Sequence, residues 1–332
     1  MSHIKAVPPS PGETEGRRPI GWATYILNLP RQLKAAQRPT GKTRRGRSSD
    51  WAPYILSLPA LLAVIGVVIP FGTAIYYSLL SYNLALPQYT HFIWFGNYVA
   101  LFTDGEFWHT VFLSIIYVVA TVGLETILGL IIAMALARRT LVNNILSVLL
   151  ILPFMVAPVI AALIWKLMTN SNFGVLNYFL EWIGIHNFRW LGPHWAMFTA
   201  VLVDIWVFTP FFMVLLLAGL RGLPTEPFEA AALDGVPRTY VFFRITLPML
   251  KPYIITAAVF HMFDSIQQFP IPYGLTRGGP GDALNLFQVD AYLNAFTYTN
   301  LGRSAAILIV LWVITYVLSF FAIKYRSRSA GA

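Results

Sequence analysis

The chain has no cysteine, and only 11% of its 332 residues are charged, 14 acidic against 23 basic. Without cysteine neither a disulfide nor a thiolate metal site can form, and redox compartment leaves no mark on the composition. So little charge excludes an ordinary soluble fold, in which about 25% of residues are charged. The six histidines (His3, His91, His109, His186, His194 and His261) show no metal-ligand spacing, so no metal site is expected. The short alternating segments of a transmembrane β-barrel are missing as well. What fills the chain is apolar: hydrophobic residues make up 57% of it.

A helix needs about 20 mainly apolar residues to cross a bilayer. Six stretches qualify, 53–80, 107–137, 142–168, 195–220, 251–275 and 303–323. Pro70, Pro153, Pro158 and Pro210 fall within them, which is tolerated because neighbouring helices and water satisfy the freed carbonyls. The expected fold is therefore all-α and polytopic, with six transmembrane helices over residues 51–328, a basic tail over 1–50 and a short C-terminal tail over 329–332.

Basic residues in short loops stay on the cytoplasmic side. Lys5, Arg17, Arg18, Arg31, Lys34, Arg38, Lys42, Arg44, Arg45 and Arg47 place the N-terminus inside. Six alternating spans then put Arg138, Arg139, Arg221, Arg238, Arg244 and Lys251 inside, with Lys324, Arg326 and Arg328 at a cytoplasmic C-terminus. Only Lys166, Arg189, Arg277 and Arg303 fall outside. The net charge of +9 reads as topology and lipid-headgroup contact, with no nucleic-acid partner implied. No cleavable signal peptide is expected, since the chain opens on proline and charge instead of an apolar run. The expected setting is a multi-pass membrane protein with both termini on the cytoplasmic side.

Two features of the tail are ambiguous at first sight. Thr40 to Thr43 spell TGKT, the end of a phosphate-binding loop, but the required upstream glycine is Ala36 and no strand precedes it, so no ATP site is expected. WATYILNLP at 22–30 nearly repeats at 51–59 as WAPYILSLP, and only the second copy runs into a full span. The first copy is either an interfacial helix within 20–36 or the remnant of a duplicated start.

The stretch 225–248 mixes acidic, basic, glycine and proline residues between the fourth and fifth spans. Thr225 is a candidate N-cap, Pro227 suits a first helical turn, and 228–233 is alanine-rich. Gly235 can end that helix in a left-handed conformation, and Pro237 can start a second helix running through Tyr240 and Phe243 to Pro248. A plain re-entry loop explains the charges. It does not explain a compact helix, glycine and helix with Ala230, Ala231 and Ala232 in a row, flanked by Glu229, Asp234 and Arg238. The segment reads as a docking element for a cytoplasmic partner.

EAAALDGVPRTYVFFRITLP closely resembles the cytoplasmic loop shared by permease subunits of binding-protein-dependent ABC importers. The residues that carry the resemblance are Glu229, Ala230, Ala231, Asp234, Gly235, Ile245, Leu247 and Pro248, with Val236 where the family often has alanine. The resemblance implies a coupling helix that sits in a cleft of an ATPase subunit, contacting it with these residues and Arg238. WFGNYVALFTDGEFWHTVFLSIIYVV at 94–119 is similar to the entry to the second span of sugar permeases, with Gly96, Asn97, Tyr98, Asp104, Phe107 and Trp108 in place and Leu113-Ser114 where Asn-Thr is frequent. The segments 204–224, 275–281 and 291–306 resemble the same maltose-permease-like subgroup, in its larger heterodimer partner. By that resemblance the chain is not itself an enzyme. It forms half of a sugar pathway with a second homologous permease subunit, two ATPase subunits that bind ATP and Mg2+, and an extracytoplasmic sugar-binding protein.

Ionisable groups inside spans are costly and mark functional candidates. Here they are Glu125, Asp204, His261 and Asp264. Glu125 and Asp204 read as interhelical hydrogen-bonding groups. Asp264, Gln267 and Gln268 share a helical face by spacing and, with Phe260, Phe263 and Phe269, offer a sugar both hydrogen bonds and ring-packing surfaces. The patch Phe260, Asp264, Gln267, Gln268 and Phe269 therefore either lines a substrate path or joins helices. An ion-coupled secondary transporter with an Asp264/His261 relay is the alternative, although the inverted repeats and glycine-rich unwound helices it requires are not evident in the chain.

Overall fold

The computed structural model describes residues 52–330, except the side chains of 52–56, 323 and 325–330. The chain divides into two units, 1–64 and 65–332. Residues 52–64 of the first are helical. The basic tail, the TGKT sequence and the first copy of the near-repeat lie outside the described residues.

Helix α1 (Ala52–Ser78) leads into a two-stranded antiparallel hairpin of β1 (Leu80–Ser81) and β2 (His91–Phe92), with Leu80 opposite Phe92. After α2 (Gly96–Thr103) and α3 (Gly105–Ala135) come α4 (Leu141–Ile151), α5 (Pro158–Met168) and α6 (Val175–Trp182). Then follow α7 (Ala196–Arg221), α8 (Glu226–Leu233), α9 (Arg238–Val241), α10 (Leu247–Ile266), α11 (Pro270–Thr276), α12 (Phe287–Tyr292) and α13 (Leu301–Ala330). Among the described residues, five unbroken helical stretches are long and apolar enough to cross a membrane: Ser57–Ser78, Gly105–Ala135, Ala196–Arg221, Arg238–Ile266 and Leu301–Ala322. A sixth crossing is available if α4 and α5 act as one.

That pair occupies the third span expected over 142–168 and is bent. The chain bends by 92° between Leu141–Met155 and Pro158–Met168. Proline lacks an N–H and disfavours the α region for its predecessor, as at the extended Ala157 before Pro158. Pro153 tightens the end of α4 into a 3-10 turn, and Pro158 starts α5 afresh. The fifth span is corrected, since it starts at Arg238 and its helix ends at Ile266. Gln267, Gln268 and Phe269 break it before the short α11.

α7 is the central helix. Of its most apolar stretch 61% is buried, against at most 22% in the other unbroken spans. Its Ala196, Ala200, Val203 and Val207 pack with Tyr117 of α3, Ala161 and Ala162 of α5, and Ile271 and Leu275 of α11. Apolar burial does little to hold helices together where lipid is equally apolar, so close packing at small residues takes over. A Cβ on Gly129 would stand 2.5 Å from Phe212 Cβ, and one on Gly274 2.8 Å from Ala162 Cβ. Both glycines let neighbouring helices meet backbone to side chain.

The motif residues of 94–108 build the cap at one end of the bundle. Asn97 Nδ2 donates to the Ser78 and Leu80 carbonyls at 2.8 Å each, and Tyr98 OH donates to Ser78 Oγ at 2.8 Å. Gly302 of α13 fits beneath them, since a Cβ there would meet the Leu80 carbonyl at 2.2 Å. Asp104 N-caps α3 by accepting from the Glu106 N–H at 2.9 Å and pairs with the Arg303 guanidinium. That guanidinium, helped by the Glu106 N–H, holds the Asp104 carboxyl below the usual carboxylate range. At the Leu113-Ser114 departure, Ser114 Oγ accepts from the Phe287 N–H at 3.1 Å and ties α3 to α12.

Candidate functional site

The loop between α7 and α9 folds as a helix, a glycine stop and a helix. Thr225 occupies the N-cap position, but its side chain makes no capping bond. Glu226 and Glu229 lie in the first turn, where the helix dipole favours acids. α8 ends in a Schellman motif. Gly235 has φ +64°, its N–H donates to the Ala232 carbonyl at 3.3 Å, and the Val236 N–H donates to the Ala231 carbonyl at 3.0 Å.

The second helix does not stop at Pro248. It passes through a π-turn, Phe242–Thr246, and runs on as α10. Pro248 has no N–H for an α-bond and would crowd the Arg244 carbonyl in a regular helix. The wider turn, with the Leu247 N–H on the Phe242 carbonyl, absorbs the misfit. Of the three alanines, Ala231 is buried while Ala230 and Ala232 face out with Glu229, Asp234, Gly235 and Arg238. Ile245 and Leu247 are half-buried and Pro248 is exposed. Leu233 is 89% exposed, and Tyr240 and Phe243 are 55% and 64% exposed. These three apolar side chains belong to the outer face although sequence reasoning did not single them out. The signal was present: large apolar residues on a short amphipathic segment with no core of its own.

Inside the bundle, three distant ionisable groups meet. His261 Nε2 of α10 lies 2.7 Å from Glu125 Oε2 of α3 and 3.5 Å from Asp204 Oδ2 of α7, all three buried. Gln268, in the break after α10, donates to Asp204 Oδ1 at 3.1 Å. One turn away, Thr121 and Ser265 share a hydrogen bond of 2.9 Å. The ligand atoms of Glu125, Asp204 and His261 all lie within 4.8 Å of one another, a grouping that residue spacing had not suggested. Two ligands on a tetrahedral zinc ion stand about 3.3 Å apart, given bonds near 2.0–2.1 Å. The 2.7 Å approach of His261 Nε2 to Glu125 Oε2 is closer than that, and the set knits α3, α7 and α10.

The five residues read from sequence as one patch are divided by the fold. Asp264 and Phe260 line a cavity of about 370 Å³ with Phe154, Phe208, Phe211, Leu215 and His261. Gln267 and Phe269 line a second cavity, of about 450 Å³, beside α12 and α13. Gln268 points inward to Asp204 and leaves the face it was expected to share, because the helix has already ended at Ile266. His261 directs Nε2 to Glu125 and Asp204, and Asp264 lines the same cavity as His261.

Residues 125–325 match the family described as binding-protein-dependent transport system inner membrane component. The chain is 39% identical to the trehalose/maltose transport system permease protein MalF of Thermococcus litoralis over 69% of this chain and 77% of that protein. It is 31% identical to the sulfoquinovosyl glycerol transport system permease protein SmoG of Agrobacterium fabrum over 77% of this chain and 83% of that one. Among solved structures, it superposes with a TM-score of 0.70 on a chain of a bacterial alginate ABC transporter in complex with an alginate pentasaccharide-bound periplasmic protein. That likeness covers 89% of this chain and 96% of the other, at 20% identity, and speaks for the fold. With the family match running from within α3 through both halves of the glycine-stopped loop into α13, this chain belongs to the inner membrane components of binding-protein-dependent transport systems.

Proposed function

We propose that this chain forms one half of the path by which an ATP-driven importer moves a carbohydrate across the membrane. A second, homologous permease subunit supplies the other half, two separate ATPase subunits hold ATP and Mg2+, and an extracytoplasmic binding protein delivers the cargo. The observation that carries the reading is the exposed Asp264 carboxylate on α10 within an apolar span, set among Phe154, Phe208, Phe211 and Phe260. A charge facing acyl chains costs about 2.5–3.5 kcal/mol on insertion scales. That face of α10 is therefore turned to water or to a partner chain. Aromatic faces and a hydrogen-bonding acid are what a sugar's ring and hydroxyls require. The names of the relatives, which handle trehalose or maltose and sulfoquinovosyl glycerol, support the same cargo class.

The loop 225–248 is the coupling element in this reading. Leu233, Tyr240 and Phe243 form its apolar contact, and Glu229, Asp234 and Arg238 set its register against the ATPase. α4 and α5 then cross as one bent span, both termini are cytoplasmic, and the coupling loop lies on the same side as Arg138 and Arg139. The test is uptake by the complex reconstituted in vesicles with binding protein, ATP and labelled sugar. Asp264→Asn lowers uptake while the assembled complex is recovered in full. Equal loss of assembly and uptake would make Asp264 a packing group and remove the carrying observation.

A further inference from the structure

Between α10 and α13 lies the second cavity, lined by Gln267, Gln288, Phe269, Tyr292, Phe296 and Ser304 among others. Resting on the carbohydrate reading above, we propose that it is a second, uncharged sugar station, which lengthens the path and admits cargo of more than one ring.

Four observations carry this. First, two irregular backbone segments bound the cavity: the break at 267–269 on one side and a π-turn, Leu293–Thr297, on the other. Broken helices at membrane depth persist only against protein or a watered cavity, and they mark transport sites. π-turns likewise concentrate at functional sites. Second, the lining chemistry suits a neutral polyol. Gln267 and Gln288 bring amides that can both donate to and accept from a hydroxyl. Ser304 is already committed, donating to the Ala291 carbonyl at 2.6 Å.

Third, the aromatic rings are fixed by one another. Phe269 stacks on Tyr273 at 4.8 Å, Tyr292 lies 5.1 Å from Phe269, and Phe296 lies 4.9 Å from Tyr292. They form a preset platform for the apolar face of a ring. Fourth, the cavity opens at the end of α10 that also carries the Asp264 cleft, Gln267 lining the one and Asp264 the other. Asp264, in the last turn of α10, and Gln267, its C-cap, are both exposed and three residues apart in the chain. Each cavity, at about 370 and 450 Å³, falls within the ordinary range for small ligands.

The stations differ in what they ask of cargo. The Asp264 cleft is met by every sugar that passes, whereas the amide and aromatic station is occupied together with it only by a longer one. The test uses the reconstituted complex with its binding protein and labelled gluco-oligosaccharides of one to four units. Gln288→Leu and Phe296→Ala are the variants, the first half-buried and the second exposed, both lining the cavity and remote in sequence from the coupling loop. Losing an amide's hydrogen bonds predicts about a tenfold lower uptake efficiency for three and four units. One- and two-unit sugars change by less than about twofold on the same scale. A uniform loss at all lengths, or none at any length, overturns the second station. Asp264→Asn, run in parallel, separates the two ideas. If it lowers uptake at every length while Gln288→Leu and Phe296→Ala are silent, the carbohydrate reading stands and the second station falls. If the unaltered complex takes up none of the sugars, both fall.

Discussion

Replacing Gly235 by valine isolates the conformational demand of the coupling loop. At φ +64° the residue is left-handed, and a side chain built there meets nothing within 4 Å. The penalty is thus purely in the backbone, about 1–2 kcal/mol for an L-residue in that region, and not a collision with neighbours. The chain either bears that strain or leaves the left-handed well and gives up the 3.3 and 3.0 Å bonds that close α8. Either way the docking-ready loop is depopulated by a factor of about 5–30. Affinity for the ATPase subunit falls by the same factor if docking requires this loop shape. The assay is a titration of labelled ATPase subunit onto the purified permease complex, alongside cargo-stimulated ATP hydrolysis in vesicles. Gly235→Asn is the control, because asparagine visits the left-handed region at lower cost, and it retains most of the affinity. A Gly235→Val permease that binds the ATPase within about twofold of the parent, well below the stated factor, would refute the reasoning.

Glu229→Lys, an exposed reversal on the same face, weakens ATPase attachment and makes it rise with salt, since repulsion is screened; salt-independent binding contradicts a charged contact. His261→Ala removes the buried polar partner of Glu125 and Asp204, and thermal unfolding in detergent reads a loss of about 1–3 kcal/mol. Asp104→Asn removes a partly exposed pair with Arg303, worth below about 1 kcal/mol. Because the folded carboxyl titrates below its unfolded value of about 3.9, that contribution is present above pH 4 and vanishes as pH falls through the depressed folded value. The stability gap between parent and variant therefore closes in acid and nowhere else. Gly129→Ala forces α3 from Phe212 and costs about 1–3 kcal/mol, read as lower yield of folded protein.

The apolar spans and the glycine stop could be read from the chain because both are local: length of hydrophobic run fixes one, and a residue tolerant of positive φ fixes the other. Direction is not local. Hydropathy over 142–168 is blind to the 92° turn, although Pro153 and Pro158 marked where it falls. The patch at 260–269 was drawn on one helix face because nothing in its spacing shows that the helix ends at Ile266 and sends Gln268 inward. Glu125, Asp204 and His261 sit on three separate spans, and their meeting depends on helix packing around α7 that no spacing rule encodes. Each was still visible singly, as a costly polar group in an apolar run.

The helical stretch Arg238–Ile266 is 29 residues long, and at about 1.5 Å per residue it measures roughly 43 Å. A hydrocarbon core of about 30 Å leaves part of that rod standing clear of the bilayer. The foot of the rod carries Arg238 and the surface around Gly235, and its head carries Asp264. A lever of this length, clamped near its head by Glu125 and Asp204 through His261, turns a tilt at the foot into displacement at the head in a fixed ratio. The π-turn at Phe242–Thr246, close to the foot, is the wide coil in that rod, and it falls between the exposed loop and the length of helix that carries the buried His261.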